Sequence, residues 1–528
     1  MCGIFFIKKN DNLLSNRVLL EFDKSKNRGG IPPDDTKFIE IGKYYLGFHR
    51  LSINGLNSSS NQPFFKNGIY VICNGEIYNY KELYSYIGIK PLTDSDCEII
   101  IDLYILYPID YFINLLDGVF SFVIYDISKD TVIIARDPFG VRPLYYSNDY
   151  CNFSSELKQI NNLTSTEINQ FPPGHFFINN NEMCIFHRYH TLTQYYMPLC
   201  SQYKNFVDEK NYYKSLIRGT LINAVKKRLL SDRPIACLLS GGLDSSLITS
   251  IVVKLLKEKT DTKLETFSIG LPGSTDLIYA KKVAQYLDTK HTEILLTEDD
   301  FFNAIPEVIE KIESYDTTTV RASVGNYLVS KYISKNSKAK VIFNGDGSDE
   351  LTGGYLYFHR APDCLMFDFE VKKLLQNIHF FDVLRSDRCI SSCGLEPRTP
   401  FLDKTFVSTY LSIPLYYRKP SIDEIEKKIL RDSFIEFLPS DILYRKKEAF
   451  SDGVSGNNRS WYQVIAEKLD NINIPTFKYN EKHMCPKTKE QLYYRYLFEQ
   501  KYSNRENVIP YFWMPKWSKT TDPSARTL

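Results

Sequence analysis

A cysteine stands directly after the initiator methionine, in MCGIFF, and its position raises a question of acid–base chemistry. If Met1 is removed, as a small second residue permits, Cys2 carries a thiol and a free α-amine together. The thiolate is the nucleophile, so a base must take the thiol proton. An α-amine, with an ordinary pKa of about 7.7–8.0, leaves roughly a tenth free at neutral pH, whereas a lysine amine at about 10.4 is almost wholly protonated. A cysteine at position two therefore brings its own base. Judged alone, Cys2 would read as a small hydrophobe in a core, and its partners elsewhere in the chain decide between the two readings.

NGEIYN (74–79) offers the Asn74 side-chain amide and the Gly75 N–H at a strand-end turn, which together suit an oxyanion hole. HRLSI (49–53) contributes Arg50, a fork for a carboxylate. Glu76 and Asp96, the latter in TDSDCE, could hold a cationic amine. A carboxylate, an ammonium and an amide carbonyl together describe glutamine. Singly, each signal is weak, because an isolated NG is more often a hairpin turn.

LLSGGLDSS (238–246) carries a second chemistry. An apolar strand ends there and a helix begins, where backbone N–H groups and the helix dipole bind phosphate oxygens. Gly241 and Gly242 allow close approach, and Ser240, Ser245 and Ser246 add hydroxyl donors. Asp244 would repel phosphate unless Mg²⁺ lies between them, so it is assigned to metal. The pattern GxxxxGK[ST] is absent, which argues against γ-phosphoryl transfer. FNGDGSDELTGGY (343–355) stacks Asp346, Asp349 and Glu350 among glycines after another apolar strand, a composition suited to Mg²⁺ and a nucleotide. TTTVRAS (317–323) sets Arg321 at a helix start, and RKKEAFSDG (445–453) holds Lys447 among charges. Alone, these last two would read as surface charge.

The elements around these stretches divide the chain. Up to about residue 190, runs such as KFIEIGKYYLGFHRLSI, GIYVICNGEIYNY and VFSFVIYDISKDTVIIARD predict hairpins, with a helix at SDCEIIIDLYILY whose Ile99, Leu103 and Leu106 share a face. This predicts an α+β layered sandwich. FPPGHFF (171–177) and TLTQYYMPLCSQYKN read as exit and linker, giving domains at 2–190 and 209–528 joined by 191–208. From about 210, strand–helix alternation (PIACLL, a helix from Leu243, LETFSIG, DLIYAKKVAQYL, KVIFNG) predicts a parallel sheet covered on both faces, with its ligand at the carboxyl ends of the strands. After about 360 the pattern is mostly helical. Lys+Arg 65 against Asp+Glu 63 leaves no large single-sign field, which argues against nucleic acid or a membrane surface. No stretch reaches the apolar length of a membrane span. The 11 cysteines show no paired metal or disulfide spacing, consistent with a cytoplasmic protein with reduced thiols.

SGGLDSS resembles the pyrophosphate-binding loop of ATP pyrophosphatases, and the first half resembles class II glutamine amidotransferases. Taken in order, MCGI, FHRLSI, CNGEIYN, LDGVFSFVIYD, ARDPFGVRPLYY, SSELK, SGGLDSS, TVRAS, GDGSDE, LEPRTPFLD and KEAFSDG resemble the glutamine-hydrolysing asparagine synthetases nearly end to end, and the tail YFWMPKW…DPSARTL resembles their eukaryotic branch. The resemblance implies an αββα Ntn-hydrolase-type sandwich, a parallel-sheet ATP-pyrophosphatase domain with a helical C-terminal part, and an internal ammonia tunnel. It implies glutamine held by Arg50, Glu76 and Asp96 with backbone at Leu51 and Ile53. It implies ATP contacted at Leu239, Ile269, Asn344 and Gly345 beside the Ser240–Ser246 loop, with Mg²⁺ on Asp244 and Asp349. It further implies aspartate and its adenylate handled by Thr318, Arg321 and Lys447, with Asp346 in the place of an acid that orients or deprotonates ammonia. A homodimer is compatible with it. Two departures stand out: NRGGIPPDD has Asn27 and Gly30 where the family has His and Pro, and Asp346 replaces a glutamate. The rival readings are another adenylating amidotransferase, such as a β-lactam synthetase, and a catalytically silent scaffold of the same fold. A glucosamine-phosphate synthase would lack SGGLDSS.

Overall fold

The computed structural model describes residues 1–9, 15–180, 182–192, 206–447 and 459–520. Twelve strands in the first part form two six-stranded antiparallel sheets. One runs β10 (Ile168–Gln170), β8 (Tyr145–Ser147), β9 (Asn152–Ser154), β1 (Gly3–Lys8), β3 (Tyr44–Arg50), β2 (Asp35–Ile41). The other runs β12 (Cys184–Arg188), β11 (His175–Asn179), β7 (Thr131–Arg136), β6 (Gly118–Asp126), β5 (Ile69–Ile77), β4 (Phe64–Lys66).

Alternation along the strands makes the layers. Ile4 and Phe6 of β1, Leu46 and Phe48 of β3, Ile72 of β5, Val123 of β6 and Ile134 of β7 interdigitate between the sheets. The opposite face of the second sheet, with Val71, Cys73, Phe120, Phe122 and Ile124, is covered by α2 (Tyr80–Ile87), α3 (Ile99–Leu106) and α4 (Ile109–Leu115). On the outer face of the first sheet, Phe5 and Ile7 pack against Val18 and Phe22 of α1 (Ser15–Asp23). The order helix, sheet, sheet, helix is the αββα sandwich. In α3 the expected stripe is only partly realised: Ile99, Ile100, Ile101 and Leu103 are all buried, whereas Leu106 is 46% exposed.

FPPGHFF is not an exit. Phe171 and Phe177 fill the inter-sheet core, and β11 pairs with β7 and β12, so the segment builds the last hairpin of the sandwich. Most of the expected linker (193–205) lies outside the described residues.

The second part opens on α5 (Phe206–Arg228) and builds a five-stranded, all-parallel sheet in the order β15 (Lys290–Leu295), β14 (Glu265–Gly270), β13 (Ile235–Leu238), β16 (Val341–Phe343), β17 (Glu396–Arg398). From β13 the chain moves outward to β14 and β15, then returns to the other side of β13 as β16. The order reverses between β13 and β16, where ligands of such sheets bind. α6 (Leu243–Lys257) and α7 (Thr275–Leu287) follow β13 and β14, and α8 (Thr317–Asn336) precedes β16. Within LEPRTPFLD, β17 is a strand that the helical reading of the region after residue 360 passed over. The main hydrophobic cluster is continuous across both parts, joining Phe5, Leu51 and Ile53 to the sheet and helices of the second part.

Two candidate active sites

The first site lies at one end of the sandwich, between the sheets. Cys2 precedes β1 and packs against the inter-sheet cluster. Its Sγ is 3.6 Å from the Leu51 carbonyl oxygen, and its own carbonyl accepts from Arg28 Nε at 2.8 Å. Gly3 follows, and a Cβ there would meet the Arg28 side chain at 3.5 Å. Asn74 falls on the same face of β5 as inward-pointing Ile72. Its side chain is fully buried, and neither amide atom has a hydrogen-bond partner among the described residues. A buried carboxamide without partners is costly unless a ligand supplies them. Gly75 is required by close approach, since a Cβ there would stand 2.4 Å from the Val119 carbonyl oxygen.

Glu76 and Asp96 come together around Asn54, whose Nδ2 donates to Glu76 Oε2 at 2.6 Å and to Asp96 Oδ1 at 3.4 Å. Asp96 Oδ2 also accepts from the Ile77 N–H at 2.7 Å. Burial raises the pKa of both acids, and Arg398, 3.3 Å from Glu76, opposes this. Arg50 is turned onto its own loop, donating to the Asn57 carbonyl at 3.0 Å, to the Asn54 and Gly55 carbonyls and to Asn61 Oδ1. Its fork is thus spent on protein acceptors. The Ile53 carbonyl accepts from the Asp232 N–H at 2.9 Å, docking the loop onto the second part of the chain.

Met1 occupies a buried position, and its ammonium donates to the Leu395 carbonyl at 3.0 Å. Burial lowers the pKa of this amine to about 5 and raises that of the Cys2 thiol to about 11. With Met1 in place, the nitrogen of Cys2 is a peptide nitrogen and its thiol is a poor nucleophile. The base proposed from position two exists only in a chain that begins at Cys2.

The second site is a cavity of about 240 Å³ at the carboxyl ends of β13 and β16. Of the residues singled out in the sequence, it gathers Leu239, Ser240, Gly242, Asp244, Ser245, Ile269, Thr318, Asn344, Gly345, Asp346, Asp349 and Lys447. Ser245 Oγ accepts from the Ser240 N–H at 3.1 Å and shapes the loop, while Ser246 turns into the core. The two strand-end loops nearly touch: a Cβ on Gly345 would lie 2.8 Å from the Asp244 Cβ. Gly241, at φ +73°, packs against the Ala280 N–H of α7 and does not line the cavity.

Arg321 does not line it either. Nε and Nη2 form a bidentate pair with Glu490 (2.8 and 2.6 Å), and the guanidinium lies over Tyr462. The helix turn that brings Thr318 to the cavity points Arg321 toward the C-terminal helices.

Lys427 is a site residue that motif reasoning missed. Buried and in the left-handed region (φ 59°), it reaches both Asp244 oxygens at 2.7 Å and Asp349 Oδ1 at 2.6 Å. Lys447 meets Asp349 Oδ2 at 2.5 Å. Although burial pushes the Asp349 carboxyl up, the two ammonium groups hold it well below the usual carboxylate range. Burial opposes the Lys447 charge, but Asp349 and Asp244 hold its pKa above the ordinary value. Asp346 accepts from Asn344 Nδ2 at 2.7 Å and Arg385 Nη2 at 3.0 Å, and burial raises its pKa against the pull of Arg385. Nothing in SIDEIEKK singles out Lys427, whose left-handed backbone is a feature of the fold.

Fold and sites define a class: a glutamine amidotransferase half fused to a nucleotide-loop synthetase half. The glutamine amidotransferase domain family matches residues 1–213, and the asparagine synthase family matches residues 216–373 and 367–519. The chain is 40% identical to the asparagine synthetases [glutamine-hydrolyzing] of Gallus gallus and Homo sapiens, over 100% of its own length and 98% of theirs. The solved glutamine phosphoribosylpyrophosphate amidotransferase of B. subtilis aligns at 15% identity and a TM-score of 0.32, covering 56% of this chain and 91% of that one. The chain belongs to the glutamine-hydrolysing asparagine synthetase family.

Proposed function

We propose that the chain makes L-asparagine from L-aspartate, using ATP and ammonia taken from L-glutamine, and releases AMP, pyrophosphate and L-glutamate. The observation that carries this reading is the pairing, in one chain, of a half-buried Cys2 packed against the inter-sheet core and a buried, unpartnered Asn74 with a strand-end phosphate-loop cavity. We read residues 2–190 as the glutaminase, 191–208 as the connection and 209–528 as the synthetase.

In the first site, Cys2 of the chain lacking Met1 attacks the glutamine amide carbon, its α-amine taking the thiol proton. Asn74 Nδ2 and the Gly75 N–H hold the oxyanion, Glu76 and Asp96 hold the ammonium, and Arg50 takes the carboxylate once its loop carbonyls release it. Leu51 and Ile53 supply backbone contacts. Ammonia leaves, and water frees glutamate from the thioester. Ammonia in bulk water would be protonated and lose its lone pair, so it passes inside the protein.

In the second site, the aspartate β-carboxylate attacks the α-phosphorus of ATP, giving β-aspartyl-AMP and pyrophosphate. Leu239, Ile269, Asn344 and Gly345 flank the nucleotide, Ser240 to Ser245 cradle the pyrophosphate, and Lys427 and Lys447 offset its charge. Thr318 binds at the aspartate end, Arg321 steadies that end from behind through Glu490, and Asp346 orients ammonia. Two convergent carboxylates beside a phosphate loop fit Mg²⁺, which favours one or two protein acids plus nucleotide phosphates; Asp244 and Asp349 would hold it, and it would neutralise phosphate charge. No group of three or more metal-ligating side chains occurs among the described residues, which suits an ion delivered on ATP. No helix of the described residues is long and apolar enough to cross a membrane, and we assign the enzyme to the cytoplasm, as a homodimer testable by sedimentation.

The test is to incubate the protein with glutamine, aspartate and Mg-ATP and to assay asparagine, AMP and pyrophosphate. ADP without AMP would overturn adenylation. No product at all would favour the silent scaffold. Cys2→Ala is expected to keep only the ammonia-dependent reaction.

A further inference from the structure

The segment IPYFWMPKW (509–517) has neither helix nor strand, yet it is pinned at several points beside the synthetase cavity. Tyr511 meets Phe381 at 5.1 Å between ring centroids and accepts from Asn377 Nδ2 at 3.0 Å. Lys516 pairs with Glu370 at 3.1 Å, and the Trp517 ring lies 6.0 Å from Tyr357. Trp513, between these anchors, is 6% exposed and lines the cavity. Its backbone N–H donates to Asp316 Oδ1 at 2.8 Å, while Asp316 Oδ2 accepts from the Thr319 N–H at 2.9 Å. One buried carboxylate thus ties the strap to the first turn of α8, which carries Thr318 into the same cavity.

The Trp513 ring stands 5.3 Å from Tyr355, whose hydroxyl donates to Glu350 Oε1 at 2.5 Å. With Phe381 these rings form an aromatic wall beside Asp346, Asp382 and Arg385. The same cavity is also lined by Leu238, Leu239, Phe267, Ile269 and Val329, a surface for a flat base. Through Asp316 the aromatic wall is tied to the helix turn of Thr318, the residue read above as binding at the aspartate end.

Resting on the proposed function, we infer that Trp513 sets the nucleophile specificity of the synthetase step by excluding water from the acyl end of the cavity. In productive turnover, ammonia attacks the β-carbonyl carbon of the aspartyl adenylate, the bond from that carbon to the phosphate oxygen breaks, and AMP leaves with the electron pair; the ammonium formed on the new amide loses a proton. If water attacks the same carbon, the same bond breaks and aspartate and AMP result, so ATP is consumed with no asparagine. Ammonia is as small as water and must reach the same carbon, so the buried indole discriminates by withholding hydrogen-bond partners at the carbonyl, a loss that costs the more strongly hydrogen-bonded water more than it costs ammonia.

The experiment uses the full chain with aspartate, Mg-ATP and saturating ammonium chloride, which bypasses the glutaminase, and reads pyrophosphate released per asparagine formed. For the native chain the ratio is expected near one. For Trp513→Ala it is expected to rise at least about threefold with pyrophosphate release kept within about threefold, and Trp513→Phe should hold it near the native value. A ratio unchanged in Trp513→Ala, or parallel loss of pyrophosphate and asparagine, overturns the inference. Should Trp513→Ala fail to fold by thermal melting, Trp513→Leu against Trp513→Phe decides: a higher ratio for Leu supports exclusion, and equal ratios overturn it. If the native chain releases no pyrophosphate with aspartate, the functional reading fails; if it makes asparagine and the variants keep its ratio, only this inference fails.

Discussion

Asn74→Ala separates catalysis from stability. The carboxamide is fully buried, and neither of its polar atoms has a partner among the described residues. An orphaned buried polar group costs on the order of 1–3 kcal/mol, which truncation relieves. Truncation also removes the packing of the carboxamide, on the order of 1–2 kcal/mol in a site that collapses only partly. The two nearly cancel, so Asn74→Ala is expected to unfold within about 1 kcal/mol of the native chain. Glutaminase activity should behave otherwise, because losing one oxyanion donor removes about 10²–10³ in kcat, or roughly 2.7–4 kcal/mol. The assay is glutamate release from glutamine, run beside ammonia-dependent asparagine formation as an internal control for folding. A glutaminase loss under about tenfold would refute the oxyanion role. Loss of ammonia-dependent synthesis in step with glutaminase would show that Asn74 is structural.

Three further outcomes follow from the same geometry. A chain that keeps a residue ahead of Cys2, through an uncleaved tag, should lose glutaminase activity at least about 100-fold while retaining ammonia-dependent synthesis, since its thiol pKa stays near the buried value of about 11; intact mass and a glutaminase assay check this. Lys427→Ala leaves Asp244 and Asp349 facing each other without their shared cation, a loss of the size measured for broken buried pairs, about 3–5 kcal/mol; asparagine and pyrophosphate formation should collapse while glutamate release persists. His190 has its pKa lowered to about 4 by burial, with Lys404 and Arg188 adding to the effect. Because the folded pKa lies below the ordinary 6.5, the unfolded chain binds the proton first. Stability is therefore full above pH 6.5 and is lost as pH falls toward 4, by on the order of 2–3 kcal/mol. Melting curves of the native chain and His190→Gln at pH 7.5 and 4.5 read the difference, and an equal acid loss in both would remove His190 as the cause.

Period and punctuation made much of this legible before any coordinates. LLSGGLDSS marked both a strand end and a helix start. NGEIYN read as a strand-end turn, but Asn74, Gly75 and Glu76 lie inside β5, paired with β6 as far as Ile77. What stayed illegible depended on partners distant in the chain. EPR within LEPRTPFLD carries no strand period of its own and becomes β17 because β16 offers an unpaired parallel edge. Arg321 sits in a motif that suits a ligand contact, but its fork is matched by Glu490, 169 positions away. Asp244 and Asp349 were legible as acids for a cation; that a lysine from a third segment also reaches both was not. FPPGHFF reads as an exit because proline and glycine punctuate it, yet Phe171 and Phe177 point into the gap between two sheets that only the fold creates, and Phe176 packs on the helix-covered face.

The boundary between the two sites is built of charge, and this is not a route to stability. Arg28 forms a bidentate pair with Asp387 at 2.8 and 3.2 Å, with both side chains at most 2% exposed; Arg398 bridges Glu396 and Glu76. Burying such groups costs several kcal/mol per ion, and well-packed apolar residues often do as well. What ionic pairs supply that apolar contacts do not is a fixed direction and distance. The helix Asp382–Ser391 shows why direction matters here. Arg385 and Ser386 turn to the synthetase side, to Asp346 at 3.0 Å and to Asn344 at 2.8 Å. The next residue, Asp387, turns the other way to Arg28, which holds the Cys2 carbonyl. Residues close together on one helix thus reach the ammonia-side acid directly and the nucleophile's backbone through Arg28. The separation between the sites is then set by a single rigid element, whose position the buried Arg28 guanidinium, forked onto Asp387, keeps from slipping.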